Sequence, residues 1–172
     1  MKFADLPLNG VASRWGWRME AHRKRHDVLR QLASEENEAG LPSSDNPLGK
    51  GVNEECYVII GEKRDKVWAG RLKLRKEGTP TSVSFDWAQV LVREESFGDV
   101  LGFYHTHPTS APYPSPRDVR TMQAWTTCFG KPLLCVIESR GLLVGYLFEP
   151  TGQCKPVGRI TRLARNTLIA VE

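Results

Sequence analysis

The sequence predicts a mixed α/β (α+β) fold, a central mixed β-sheet flanked by helices, on three observations. Apolar runs of strand length recur at 53–61, 100–104, 132–138 and 141–149, each bounded by Gly, Pro or acidic residues. Between them, 86–95 and 118–128 place apolar residues at helical spacing behind good capping residues. Ser139-Arg140-Gly141 separates the last two runs by a tight hairpin signal. Strands interleaved with helices, with a hairpin among them, fit helices packed on a sheet.

The elements follow in order. Trp15 and Trp17 flank Gly16 and read as a packing edge. From Met19 to about Glu38, Met19, His22, His26, Leu29 and Ala33 share one side of an amphipathic helix. No Glu follows His22, so the His-Glu-x-x-His zinc helix is absent and His22 to His26 reads as a solvated basic face. Gly40 to Gly51 is dense in breakers and reads as a loop, a mobile flap in one reading. Asn53 to Gly61 is a buried strand with the acidic pair Glu54 and Glu55 at its mouth. Lys66 to Leu74 alternates through Val67, Ala69, Leu72 and Leu74 with a slip near Gly70, as a bulged strand does. Ser82 to Phe85 is a short strand, and Asp86 caps a helix to Glu95 with Trp87, Val90 and Leu91 inward. The helix that follows Asp118 runs to about Cys128, burying Val119, Met122 and Trp125 or Ala124, and Gly130-Lys131-Pro132 breaks it. The tail from Pro150 carries a basic amphipathic segment, Arg159 to Leu168, that binds a partner or covers the sheet.

The chain has 172 residues, 40% hydrophobic and 26% charged, which suits one soluble domain with a sizeable core. A net charge of +4, spread along the chain, permits acidic partners without demanding nucleic acid. Four cysteines, at 56, 128, 135 and 154, show no C-x-x-C spacing and read as buried thiols of a reducing compartment. With no membrane-length apolar run and no signal-peptide pattern at Met1 to Gly10, the expected location is cytoplasmic, with no membrane partner.

The chemistry concentrates between Gly102 and Asp118. If the strand from Val100 continues through the histidines, its period of two puts His105 and His107 on one face with Thr106 turned away. Pro108 stops the strand, and 108–117 forms a loop. Ser115 then caps a helix with Pro116 at its first position and Asp118 at its third. Two imidazoles and one carboxylate suit zinc, and three protein ligands leave a fourth position open, as in catalytic sites. Zinc hydrolysis also needs a nearby carboxylate base. Glu54 and Glu55 are the candidates, and parity alone does not choose between them.

The set Glu54-x-Cys56, Gly102-x-x-His105-x-His107-Pro108 and Ser115-x-x-Asp118 resembles the JAMM (MPN or JAB domain) metalloprotease motif over roughly residues 50–150. The family's frequent glycine after the cysteine is Tyr57 here. The resemblance implies a compact deaminase-like α/β fold, with an extension at 1–49, a catalytic core at 50–150 and a basic segment at 151–172 packing on that core. It implies one zinc per chain held by His105, His107 and Asp118, with Glu54 as the base and Ser115 as oxyanion donor. It implies cleavage after the C-terminal glycine of a ubiquitin or ubiquitin-like protein, an extended tail being read by strand addition. The small stand-alone form resembles prokaryotic members encoded beside E1- and E2-like enzymes in antiphage and ubiquitin-conjugation-like operons. Four other readings compete. A non-catalytic scaffold has no chemical need for all five residues. A zinc deaminase needs His-x-Glu with Pro-Cys-x-x-Cys, which the chain lacks. A cysteine peptidase using Cys56 or Cys135 needs a thiolate that apolar strands disfavour. Nucleic-acid binding by the N-terminal basic helix would be an added function, detectable as a salt-dependent affinity.

Overall fold

The computed structural model describes residues 53–79, 83 and 85–172. The expected helix at 19–38, the loop at 40–51, both N-terminal tryptophans and Ser82 and Ser84 of the expected Ser82–Phe85 strand lie outside the described residues, while Val83 and Phe85 are described and belong to no strand. The described elements are β1 (Glu55–Arg64), β2 (Val67–Glu77), α1 (Trp87–Phe97), β3 (Val100–Thr106), α2 (Pro116–Phe129), β4 (Leu133–Ser139), β5 (Leu142–Phe148), β6 (Cys154–Pro156), β7 (Arg159–Ala164) and β8 (Thr167–Val171). They form one eight-stranded mixed sheet with two helices, the α+β architecture expected from sequence.

The strand order is β6-β5-β4-β3-β1-β2-β8-β7. β3 and β4 are parallel and joined through α2, while every other pair is antiparallel. Asp86 caps α1 by accepting from the Gln89 amide, and Gly98 closes it in the left-handed region. Arg140 (φ 51°) and Gly141 (φ 80°) make a two-residue turn between β4 and β5, with the positive angles that a tight hairpin requires.

The two faces of the sheet are covered differently. α1 packs against β3, and α2 against β4 and β5. Phe103 of β3 meets Trp125 of α2 on that helical face, with ring centroids 5.2 Å apart. The opposite face is an apolar cluster that includes Ile59, Trp68, Leu72, Tyr104, Val136, Leu147 and Leu168. No described helix lies over it, and the sheet's own curl encloses it instead. β5 and β7 lie near opposite ends of the strand order, yet a Cβ on Gly145 would meet Ile160 Cδ1 at 2.2 Å. The Val157 amide also donates to the Gly145 carbonyl (2.9 Å). Arg162 of β7 crosses the mouth to donate to Tyr104 Oη (2.9 Å) and Glu138 Oε2 (2.7 Å).

Three details differ from expectation. β2 keeps a strict alternation with Trp68, Gly70 and Leu72 inward, and Gly70 is in register with Gly61. Gly70 meets a need for space, since a Cβ there would lie 2.3 Å from Ile59 Cγ2. The irregularity falls further on, where Val58 pairs with Lys73 and Cys56 with Lys76, and Leu74 takes φ 51°. The basic tail contributes β6, β7 and β8 to the sheet itself, with β8 hydrogen-bonded between β2 and β7. Among the cysteines, 56, 128 and 135 are buried but Cys154 is exposed.

Candidate metal centre

β3 runs between β1 and β4 in the middle of the sheet. Its C-terminal end delivers His105 and His107, 5% and 6% exposed, to the helical face. The backbone continues one residue past the strand, where the His107 amide donates to the Glu138 carbonyl (2.8 Å). Pro108 cannot extend that ladder, and the chain crosses to α2. There Ser115 Oγ accepts from the Asp118 amide (3.2 Å), while Asp118 Oδ2 accepts from the Ser115 amide and hydroxyl, both at 2.7 Å. This capping box anchors Asp118 without using its whole carboxylate. Asp118 Oδ1 lies 3.4 Å from His105 Nε2, Oδ2 lies 3.6 Å from His107 Nε2, and the two Nε2 atoms are 3.0 Å apart. One ligand atom from each residue falls within 4.8 Å of the others.

The donor set fits a zinc-type cation. His107 Nδ1 is 2.9 Å from the Ala111 carbonyl, which can only accept, so Nδ1 carries the proton and Nε2 turns its lone pair into the cluster. Two imidazole nitrogens this close repel as lone pairs unless a proton or a cation lies between them. In the metal-free cluster the Asp118 side chain raises the His107 pKa above its ordinary 6.5, opposed by burial. Burial pushes the Asp118 pKa up, but hydrogen bonds from His105, His107 and Ser115 outweigh it and hold the carboxyl far below its usual range. Asp118 is therefore ionised, as a ligand must be.

The structure separates the two acids at the mouth of β1. β1 pairs antiparallel with β3, Cys56 opposite His105. Glu55 shares its face with Tyr57, whose ring meets Tyr104 edge-on on the curled side. Parity therefore gives Glu54 the helical face, where the histidines lie. Glu55 is committed elsewhere: its carboxylate accepts from Arg75 (2.5 Å) and Tyr57 (2.8 Å), and the Arg75 bond foremost lowers its pKa. Glu54 is half-buried, and burial raises its pKa against the pull of His107 and His105, while Asp118 pushes it further up. A carboxyl whose pKa is raised beside such a cluster is suited to proton transfer. Backbone pairing with Thr79 and Gly78 holds its position.

Sequence reading missed the groups that hold the 108–114 loop. Ser139, 4% exposed at the end of β4, donates from Oγ to the Ser110 carbonyl (2.6 Å), the residue before the carbonyl that fixes His107. Arg140 reaches the Thr109 carbonyl (3.4 Å) and Tyr146 the Pro112 carbonyl (3.4 Å). These are contacts between side chains and backbone across distant segments, and no local motif encodes them. Cys135 is buried, and burial drives its thiol well above the ordinary value, so it is no nucleophile.

No curated protein matches the chain. A family model described as prokaryotic homologs of the JAB domain matches residues 48–148, a stretch that contains Glu54, His105, His107, Ser115 and Asp118. That match covers more than half of the sequence, and the chain belongs to the prokaryotic JAB-domain family.

Proposed function

We propose that the chain is a zinc-dependent peptidase or isopeptidase that cuts after the C-terminal glycine of a ubiquitin or ubiquitin-like protein, in deconjugation or precursor processing. The JAB family includes metalloproteases, so the fold admits this activity. The observation that carries the reading is the convergence of His105, His107 and Asp118 with the half-buried carboxyl of Glu54 on one face at one end of the sheet.

Zinc held there would polarise the scissile carbonyl and lower the pKa of an attacking water toward neutrality. Glu54 takes the proton of that water and passes it to the departing amine, and its raised pKa favours holding the proton in between. The Ser115 hydroxyl points at Asp118 Oδ2 in this structure, so its oxyanion role requires the hydroxyl to rotate. Asp118 keeps the Ser115 amide as anchor when it does. Among the described residues, the β2–β8 pairing ends at Arg71 opposite Thr167, with the Leu72 amide donating to the Asn166 carbonyl, and β2 beyond it to Glu77 presents an edge to which an extended tail can add. The pathway proposed is a bacterial ubiquitin-like conjugation system of the antiphage kind, with E1- and E2-like enzymes as partners.

The test compares wild type with Glu54→Gln for bound zinc and for cleavage of a ubiquitin-like protein extended beyond its terminal glycine. About one zinc on each protein, with cleavage by wild type alone, supports the reading. A wild type that takes up no zinc, or a Gln variant that cuts equally well, overturns it in favour of a non-catalytic binding domain.

A further inference from the structure

A second polar pocket, of about 560 Å³, opens on the curled face beside β1, lined by residues that include Glu55, Tyr57, Lys73, Arg75, Arg165 and Asn166. It adjoins the metal centre through the backbone: the Glu55 amide donates to Oγ1 of Thr106 (2.9 Å), the residue between the two histidines. Glu54 and Glu55, neighbours in sequence, thus face the two sites on opposite sides of one strand.

The pocket is built by a backbone departure. Residues 67 to 73 of β2 alternate regularly, which would send Arg75 to the helical face with Lys73. Leu74 instead takes φ 51°, a region costly for a bulky side chain, and the register against β1 slips there. The slip places Arg75 on the curled face, where it bonds Glu55 and, at 3.4 Å, Glu77. Strain of this kind persists where surrounding structure enforces it, and it gathers at functional sites. Glu55 also orients Tyr57, so one guanidinium and one phenol are fixed in the pocket. Arg165, at the β7–β8 turn, and Lys73, at the rim, form no ion pair among the described residues. Lys73 reaches this rim from the helical side, and with it the pocket has three cations against the carboxylates of Glu55 and Glu77, both bonded by Arg75, a surplus of one that favours an anionic occupant.

We infer that this pocket is a docking site for an acidic segment of the protein substrate, so that the chain selects substrates bearing Asp or Glu a short distance along the chain from the scissile bond. The inference rests on the hydrolase reading above for its connection to cleavage, but binding itself needs no chemistry. Arg165 and Lys73 supply the free charge, and Arg75, held in place by Glu55 and Glu77, offers its remaining N–H groups.

The experiment measures fluorescence anisotropy of a fluorescein-labelled peptide containing four glutamates, against its glutamine counterpart, on the full-length zinc-loaded protein at 0.15 M salt. The expected result is binding of the glutamate peptide alone, weakened at least tenfold by Arg165→Glu and several-fold by Lys73→Gln. Lys66→Glu, an equal charge change at the β1–β2 turn, should leave it unchanged. Glu54→Gln should bind the peptide as wild type does while failing to cleave, which separates failure of the pocket from failure of the hydrolase reading. Equal weakening by Lys66→Glu, no preference for glutamate, or tighter binding of a single-stranded oligonucleotide of the same charge would each overturn the inference. Thermal melts establish that the Arg165 and Lys73 variants are folded.

Discussion

His107 depends on two residues that ligate nothing. Its tautomer is set by the Ala111 carbonyl, and the peptide carrying that carbonyl is fixed by the Ser139 hydroxyl on Ser110. Removing partners behind a metal-bound histidine characteristically costs 10–100-fold in metal affinity. Ser139→Ala should therefore weaken zinc binding by roughly tenfold, measured by competition with a chromophoric chelator, and Ser139→Thr should recover most of it. Undiminished affinity in the Ala variant would show that the loop needs no clamp. The same residues give the metal-free protein a definite pH response. Asp118 raises the His107 pKa, so the stability this contact contributes is complete below the ordinary value of 6.5 and is lost as pH rises through the raised one. Asp118 has the opposite sign: its lowered pKa gives stability that is present above 3.8 and is lost only in strong acid, outside this window. The melting temperature of chelator-treated protein should fall as pH rises above 6.5, and Asp118→Asn should remove that slope. Zinc affinity should climb across the same interval as the competing proton leaves. A metal-free melting temperature that stays level above pH 6.5 would contradict the coupling.

At the scale of elements, what was legible was what neighbouring residues dictate. The Pro108 stop, the Ser115 cap with Pro116 behind it and the Arg140-Gly141 turn are local chemistry, and each lies where the sequence places it. The choice between Glu54 and Glu55 on residues alone was not legible, because it depends on which face of β1 lies beside His105 of β3. The phase of β2 was misread because Val67 and Ala69 look like core residues, whereas the inward Trp68 donates through its indole N–H to Glu172, in the distant tail. Arg159 to Leu168 has Ile160, Leu163 and Leu168 at near-helical spacing, yet it folds as β7, a turn at Arg165-Asn166 and the start of β8. Only the open side of β2 selects that outcome, and periodicity within the tail does not encode it. β3 supplies the test of tightness at this scale. A Cβ on Gly102 would sit 1.8 Å from the Leu134 carbonyl of β4, an atom that cannot rotate away. Gly102→Ala should cost roughly 3 kcal/mol by overpacking, read by urea unfolding, and should weaken zinc binding because β3 carries both histidines. Wild-type stability in that variant would mean the β3–β4 pair is looser than its geometry.

Among the described residues the fold is held by closure of its sheet, and the segment that closes it lies outside the family match. That match ends at residue 148, the last residue of β5, while β8 goes on to pair with β2 and to bury Leu168 and Ala170 to 2% and 1% exposure. Without β6 to β8, the curled face would expose Trp68, Leu72 and Leu147 together. Tyr104 and Glu138 would also lose Arg162, which bridges them from β7. An uncovered apolar face of this kind is incompatible with a stable small domain, because each large side chain forfeits about 1.5–3 kcal/mol of burial and total stability is only about 5–15 kcal/mol. A chain ending at Pro150 retains Glu54, His105, His107, Ser115 and Asp118. It should nevertheless show no cooperative thermal transition by circular dichroism and no stoichiometric zinc, even though every candidate ligand is present. A cooperative melt in the truncated chain would mean that β1 to β5 and the two helices suffice, and that the tail's three strands serve the pocket at Arg165 rather than the fold.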